Sequence, residues 1–149
     1  MKKHKEKAME FKILQDTNEQ IKKLRYDTFV IERGVPQKLE FDGKDNEFLH
    51  FTLWEDDSII ACLRANENGK LLHMGRFAVQ KELRKKGYGR ILIEKLIEYA
   101  KENGYSGVEL SAVETAVGFY EKMGFSKIGN FYLETGVPHI YMKKEFTLK

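Results

Sequence analysis

Apolar and polar residues change period several times along the chain, and those changes divide it into elements. Phe11 to Leu14 reads as a short strand. Thr17-Asn18-Glu19-Gln20 is a capping-box pattern, a Thr with a Gln three residues later, and it predicts a helix start at Thr17. The helix that follows puts Ile21, Leu24, Thr28 and Ile31 on one face and stops near Gly34-Val35-Pro36. Gln37 to Glu47 reads as an acidic loop. His50 to Trp54 alternates as a strand, Asp56-Asp57 turns, and Ile59 to Ala65 returns. Asn68-Gly69 is a hairpin signal, and Leu71 to Val79 is the next strand.

The period then lengthens. Leu92, Leu96 and Tyr99, with Ile93, Ile97 and Ala100 beside them, predict a long helix from about Gly87 to Glu102, closed by Gly104. Val108, Leu110 and Ala112 alternate as a strand. A short helix around Phe119 ends at Gly124, and Lys127 to Leu133 with His139 to Phe146 form a terminal strand pair. This order implies a mixed sheet with helices on both faces, and leaves several α/β arrangements open.

Composition narrows the class. At 149 residues the chain is read as one domain, able to bury about two-thirds of its unfolded surface. A hydrophobic fraction of 42% beside 33% charged residues describes a soluble globular protein. The net charge of +3 is small and the signs are interspersed, which argues against a nucleic-acid partner. Cys62 is the sole cysteine, so no internal disulfide forms and a reducing, cytoplasmic setting is expected. The basic start over residues 1–8, with His4, is expected to be a disordered tail and not a secretory signal, with Met9 as an alternative start. No apolar run approaches membrane-spanning length.

The stretch Arg84-Lys85-Lys86-Gly87-Tyr88-Gly89-Arg90 lies between a strand and a helix. A glycine-rich basic loop that opens a helix suits phosphate, because amides at a helix start lack intrahelical partners and face the positive end of the dipole. The Walker and dinucleotide patterns are both absent, which leaves R-x-x-G-x-G. This motif in this context resembles the central signature of the GNAT superfamily of acetyl-CoA-dependent N-acetyltransferases. Ala116 to Phe125, with its Phe119-Tyr120 pair and closing Gly124-Phe125, is similar to that family's second signature. Glu32-Arg33-Gly34-Val35-Pro36, the stretch Glu40 to Asp45, and Gly136-Val137-Pro138-His139-Ile140 resemble its ElaA-like branch. The resemblance runs from about Phe11 to Phe146. It implies a twisted, mostly antiparallel mixed sheet of about seven strands with helices on both faces.

The resemblance also implies roles. Acetyl-CoA is the expected co-substrate, held by the strand amides of Phe77, Ala78 and Val79 and by the loop residues Arg84, Lys85, Lys86, Gly87, Tyr88, Gly89 and Arg90. Phe119 is expected beside the cofactor in a packing role. Tyr120 is the expected acid for the leaving thiolate; as residues alone, it and Phe119 read as core aromatics. His73 is a candidate base, since period two puts it on one strand face with Gly75, Phe77 and Val79 and an imidazole titrates near neutrality. A hydrogen-bonded sheet histidine is the plainer reading. Read from the residues, His139, Glu40 and Asp42 are candidates to line a pocket for a cationic amine, beside the plainer readings of a buried strand histidine and a solvated acidic loop, with Arg33, Arg64 and Arg76 as partners of those carboxylates or as holders of an anionic acceptor. His50 is a weaker candidate of the same kind.

Cys62, inside an apolar strand, reads as a core residue and not as a nucleophile. The histidines and the cysteine give no metal spacing, and Asp42 to Asp45 lacks the ligands of a calcium loop, so no metal is expected. The partners expected are acetyl-CoA and an amine acceptor, with no membrane or nucleic acid, and a homodimer is compatible. Two rival readings stand beside this one. The first is a CoA-binding module without turnover. The second is a basic nucleic-acid module built on Lys81, Arg84, Lys85, Lys86 and Arg90, for which only Tyr88 supplies a stacking aromatic.

Overall fold

Seven strands form one sheet in the spatial order β1-β2-β3-β4-β5-β7-β6. They are β1 (Met9–Leu14), β2 (Leu49–Glu55), β3 (Ser58–Asn68), β4 (Leu71–Val79), β5 (Gly107–Val113), β6 (Ser126–Glu134) and β7 (Val137–Glu145). Among the described residues four α-helices accompany them: α1 (Glu19–Arg25), α2 (Gln37–Glu40), α3 (Tyr88–Glu102) and α4 (Val117–Lys122). The computed structural model describes residues 8–146, so the tail expected over residues 1–8 falls, save for its last residue, outside the described residues. Two-residue connections join β2 to β3 and β3 to β4, a length that admits only antiparallel neighbours. The parallel pair is β4 with β5, the strands linked through α3. The sheet is therefore mixed and mostly antiparallel, as the resemblance implied.

The chain divides into two compact units, residues 8–64 with 76–92, and residues 65–75 with 93–146. In the first, β1 pairs antiparallel with β2, Phe11 opposite Leu53 and Ile13 opposite Phe51. Strand β2 is buried on both faces, so its buried polar members, His50 and Thr52, need partners. Thr52 donates to the Lys12 carbonyl at 2.8 Å and accepts from the Trp54 indole at 2.7 Å. Ile21, Leu24, Phe29, Trp54, Ile59, Cys62 and Ala78 make a core cluster.

Helix α1 corrects two expectations. Its cap is Asn18, not Thr17: the Asn18 side chain accepts from the Ile21 N–H at 2.8 Å. Gln20 does not close a capping box, because its amide spans the β2–β3 turn, donating to the Asp57 carbonyl and accepting from the Ile59 N–H, each at 2.8 Å. Beyond Arg25 the helix widens into a π-helical stretch, Tyr26–Glu32. The wider turn breaks the 3.6-residue period used to place Ile31 inside. Phe29 enters the core instead, and Ile31 is 63% exposed.

In the second unit, β5 pairs antiparallel with β7, and β7 with β6 across a bulge between Ile128 and Tyr132. Gly107 permits this close approach, since a Cβ there would strike the Lys144 carbonyl. Helix α3 buries Ile93, Leu96 and Ala100 completely or nearly so. It ends as its glycine predicted. Gly104 takes φ +79°, and the Tyr105 N–H bonds back to the Ala100 carbonyl at 2.9 Å. The short α4 buries Val117, Tyr120 and Met123, and its C-terminal Met123 carbonyl is capped by the Lys144 ammonium at 2.8 Å.

Candidate active site

Strand β4 is not uniformly extended. Arg76 adopts φ +52°, a left-handed value, between Gly75 and Phe77. Simple alternation therefore does not carry across it, and the expected single face of His73, Gly75, Phe77 and Val79 is interrupted at Arg76. The ladder of β4 with β5 covers Leu71, Leu72 and His73, opposite Gly107, Val108 and Glu109.

After β4 a single 3-10 turn, Lys81–Leu83, leads into the basic loop. Lys85 takes φ +63° and Gly87 φ +89°, two left-handed residues on either side of Lys86. Such reversals turn successive backbone N–H groups toward one concave point, the geometry that holds anions. Helix α3 opens directly afterwards, its first bond running from the Ile91 N–H to the Gly87 carbonyl at 3.1 Å. The amides ahead of that bond lie at the positive end of the helix dipole. Nothing lies within 4 Å of where a Cβ on Gly87 would stand, so the glycine answers a conformational demand and leaves open space above it. Lys85, Lys86 and Arg90 are exposed, and Tyr88 and Gly89 half-buried. Turned amides and basic side chains together make an anion-binding geometry.

Arg84, the first residue of the motif, is turned back on the protein. Its Nε donates to the Val79 carbonyl at 3.0 Å, and its fork donates to both Glu32 oxygens, at 2.8 and 2.6 Å. The guanidinium holds the Glu32 carboxyl below its usual value, and Glu32 in turn raises Arg84. Glu32 belongs to a motif that the sequence reading used for a resemblance alone, and this contact was not foreseen.

In the second unit, Tyr120 is 5% exposed and packs edge-on against Phe119 and Phe125, with ring centroids 5.1 and 5.7 Å apart. His139 is 8% exposed. Its Nδ1 faces the Val137 carbonyl at 2.8 Å and its Nε2 faces Glu134 at 3.3 Å, while Tyr132 stacks on the ring. Both oxygens only accept, so the contact with Glu134 is an ion pair when the ring carries two protons. The Tyr132 hydroxyl also meets the Ser111 hydroxyl. His73 is half-exposed, and its Nδ1 lies 3.1 Å from the carboxylate of Glu109, a residue the sequence reading passed over.

Comparison with known proteins decides the family. The acetyltransferase (GNAT) domain family matches residues 12–146. The N-acetyltransferase YjcF of Bacillus subtilis (strain 168), itself uncharacterized, is 31% identical over 82% of this chain and 88% of its own. The crystal structure of Escherichia coli ElaA superposes with a TM-score of 0.81 at 27% identity, covering 93% of this chain and 100% of ElaA. That of an acyl-CoA N-acyltransferase from Pseudomonas aeruginosa gives 0.80 at 26%, covering 92% and 99%.

The chain belongs to the GNAT acetyltransferase family. Its place is in the ElaA-like branch, and it is an N-acetyltransferase enzyme.

The acidic loop of this GNAT chain is an ion-pair network. Arg25, 1% exposed, donates through Nε to Glu40 at 2.8 Å and through Nη1 to Asp45 at 2.7 Å. Arg64 donates to Asp42 at 2.7 Å and to Asp45 at 3.0 Å. Arg76 reaches Glu40 at 3.2 Å and Asp42 at 3.5 Å. Three guanidinium groups are thus interleaved with three carboxylates, which is what permits such burial. Arg64 and Arg76 pair with the loop, one of the two alternatives the sequence left open. The Arg64 hydrogen bond holds the Asp42 carboxyl far below the usual carboxylate range.

Glu40 is buried among its partners, whereas the Asp42 side chain is 26% exposed. His50, 1% exposed, bonds to the Asp45 carbonyl at 2.8 Å, and burial lowers its pKa. Cys62 is fully packed, its thiol pushed up to about 12 by burial, so it is no nucleophile. Among the described residues no group of three or more His, Cys, Asp or Glu stands ready for a metal, and no helix is long and apolar enough to cross a membrane.

Proposed function

We propose that the chain moves an acetyl group from acetyl-CoA to the primary amine of a small-molecule acceptor by direct attack, in the cytoplasm. The observation that carries this reading is the loop of a GNAT chain in which Lys85 and Gly87 are left-handed just ahead of α3. The name of the Pseudomonas relative, an acyl-CoA N-acyltransferase, supports the same donor class.

The loop from Arg84 to Arg90 takes the pyrophosphate, and the amides of Phe77 to Val79 take the pantetheine arm and polarise the thioester carbonyl. The acceptor nitrogen must be neutral to attack, so His73 receives its proton, directly or through one water. The nitrogen bonds to the acyl carbon and the C–S bond then breaks. Tyr120 donates its proton to the departing thiolate, whose own pKa of ~8.5 makes that help useful but not essential, and the extra proton on the acylated nitrogen leaves through solvent, which reprotonates Tyr120. Phe119 packs beside the cofactor. The acceptor is assigned His139 as one contact and Asp42 as another, with Glu40 acting through the Arg76 that it holds.

The test is acetyl-CoA consumption with appearance of free thiol, across amines, amino sugars, polyamines and peptides. Thiol release that depends on an amine is the expected result. Thermal stabilisation by CoA without turnover on any amine would make the chain a CoA-binding module. Gly89→Val checks the loop directly: CoA is expected to raise the melting temperature of the wild type and not of this variant. Equal stabilisation of both would remove the loop from the binding site.

A further inference from the structure

The structure places a charged side chain inside the sheet that the mechanism above does not use. Glu109 lies in β5 between the buried Val108 and Leu110 and is itself only 4% exposed. Its oxygens are not idle. Oε1 accepts from the Asn68 amide at 2.9 Å, Oε2 faces His73 Nδ1 at 3.1 Å, and the carboxylate charge acts on the Tyr141 hydroxyl. Burial first, then the Glu109 charge, raises the Tyr141 hydroxyl above the ordinary phenol value. Lys143 stands opposite Glu109 in the β5–β7 register, but its ammonium pairs with Glu145 at 3.0 Å.

A carboxylate only accepts hydrogen bonds, so His73 Nδ1 must be the nitrogen that carries the proton. That leaves Nε2 of the neutral ring with its lone pair. The backbone enforces the arrangement, since His73 and Glu109 are direct partners in the short parallel ladder. Burial is asymmetric: the Glu109 side chain is 6% exposed and the His73 side chain 39%. The carboxylate is the fixed end of the pair, and the imidazole is the end that solutes can reach.

We propose that Glu109 is a positioning residue for His73. Held in place by Asn68 and by its own burial in the sheet, it fixes the imidazole in the Nδ1–H form, so that Nε2 is the basic atom presented to the acceptor amine. This rests on the reading of His73 as the base of an N-acetyltransferase. A purely structural role, satisfying a polar cluster within a sheet, would hold the same tautomer but demands no effect on turnover through His73. The two accounts therefore separate experimentally.

The first experiment is nitrogen-15 NMR of histidine-labelled wild-type protein near pH 8, with His73 assigned by His73→Gln. It needs no turnover and no variant at position 109. Nδ1 protonated and Nε2 bare is expected, and a proton on Nε2 overturns the proposal. The second is Glu109→Gln, which keeps the shape but turns an NH₂ toward groups that are themselves donors. It should release the ring to a mixture of tautomers and lower kcat by about 10–100-fold, the usual cost of losing an orienting partner, with KM for acetyl-CoA unchanged. In a background of His73→Gln, the added Glu109→Gln should cost almost nothing, because both act through one atom. An unchanged tautomer in Glu109→Gln, or a full additional loss in the double variant, overturns the proposal. Absence of wild-type turnover on every amine counts against the acetyltransferase reading instead, and leaves the NMR result to judge the pair by itself.

Discussion

Arg84 and Glu32 form a two-pronged ion pair, with both guanidinium nitrogens of the fork on both carboxylate oxygens. The same Arg84 side chain holds the Val79 carbonyl at the end of β4. One residue thus ties the start of the basic loop to the strand before it and to the end of the π-helical stretch. Glu32→Gln keeps the size and removes the charge. Since the pair is about one-third exposed, stability should change by less than ~1 kcal/mol. CoA affinity should fall about threefold to tenfold, read by calorimetry, because the loop loses a brace. Tighter binding in the variant would mean that the guanidinium, once released, serves the phosphates itself.

Tyr120→Phe removes one proton and keeps a ring that packs against Phe119 and Phe125. Acetyl-CoA affinity should stay near wild type while turnover falls. General acids contribute ~10²–10⁴-fold, and the low end is expected here because a thiolate leaves with little help. Rates from rapid quench, with chemistry limiting, check this. An unchanged rate would leave Tyr120 as a packing residue.

Asp42 links the acidic loop to acid stability. The Arg64 hydrogen bond depresses its folded pKa, so the stabilisation is fully present above the unfolded value of ~3.9 and is lost as pH falls through the folded value. Asp42→Asn should cost ~1–3 kcal/mol at neutral pH. The gap between wild type and variant should hold down to about pH 4 and close only below it. Urea melts across that range test the window, and a gap that closes near neutrality would assign it to another group.

Thr28 offers a gain. Its hydroxyl is buried in the π-helical stretch and, among the described residues, has no hydrogen-bond partner. Thr28→Val replaces it with a methyl of similar shape and should stabilise by about 1 kcal/mol. A rise of roughly 2–4 °C in Tm is the expected reading. A fall would show that the hydroxyl is solvated from inside the fold.

Local rules made most of the fold legible. Helix α3 was readable because its apolar stripe and closing Gly104 agree, and the β3–β4 hairpin because Asn68-Gly69 punctuates two strands. The cap at Asn18 was not readable, since Gln20 answers to the β2–β3 turn thirty-seven residues away at Asp57. Ile31 was misplaced because nothing in the local pattern announces a π turn. The basic loop was legible through glycine and charge together. Glu109 and Glu32 were not singled out, because what matters in each is a partner distant in sequence. A lone carboxylate between Val108 and Leu110 was nonetheless a usable signal, since an alternating strand rarely buries a charge without a purpose.

Strand β6 lies at the edge of the sheet and is exposed along its whole length, with Ile128, Phe131, Tyr132 and Leu133 bare to 42, 45, 41 and 73%. Such an edge invites another strand to add to it. Here the left-handed Gly129 and the register shift that follows keep it from being a flat template. The shape of that bulge, more than surface charge, should set how concentrated a solution of this protein can become before chains associate edge to edge. A change that straightened residues 128–132 would be felt first as lost colloidal stability.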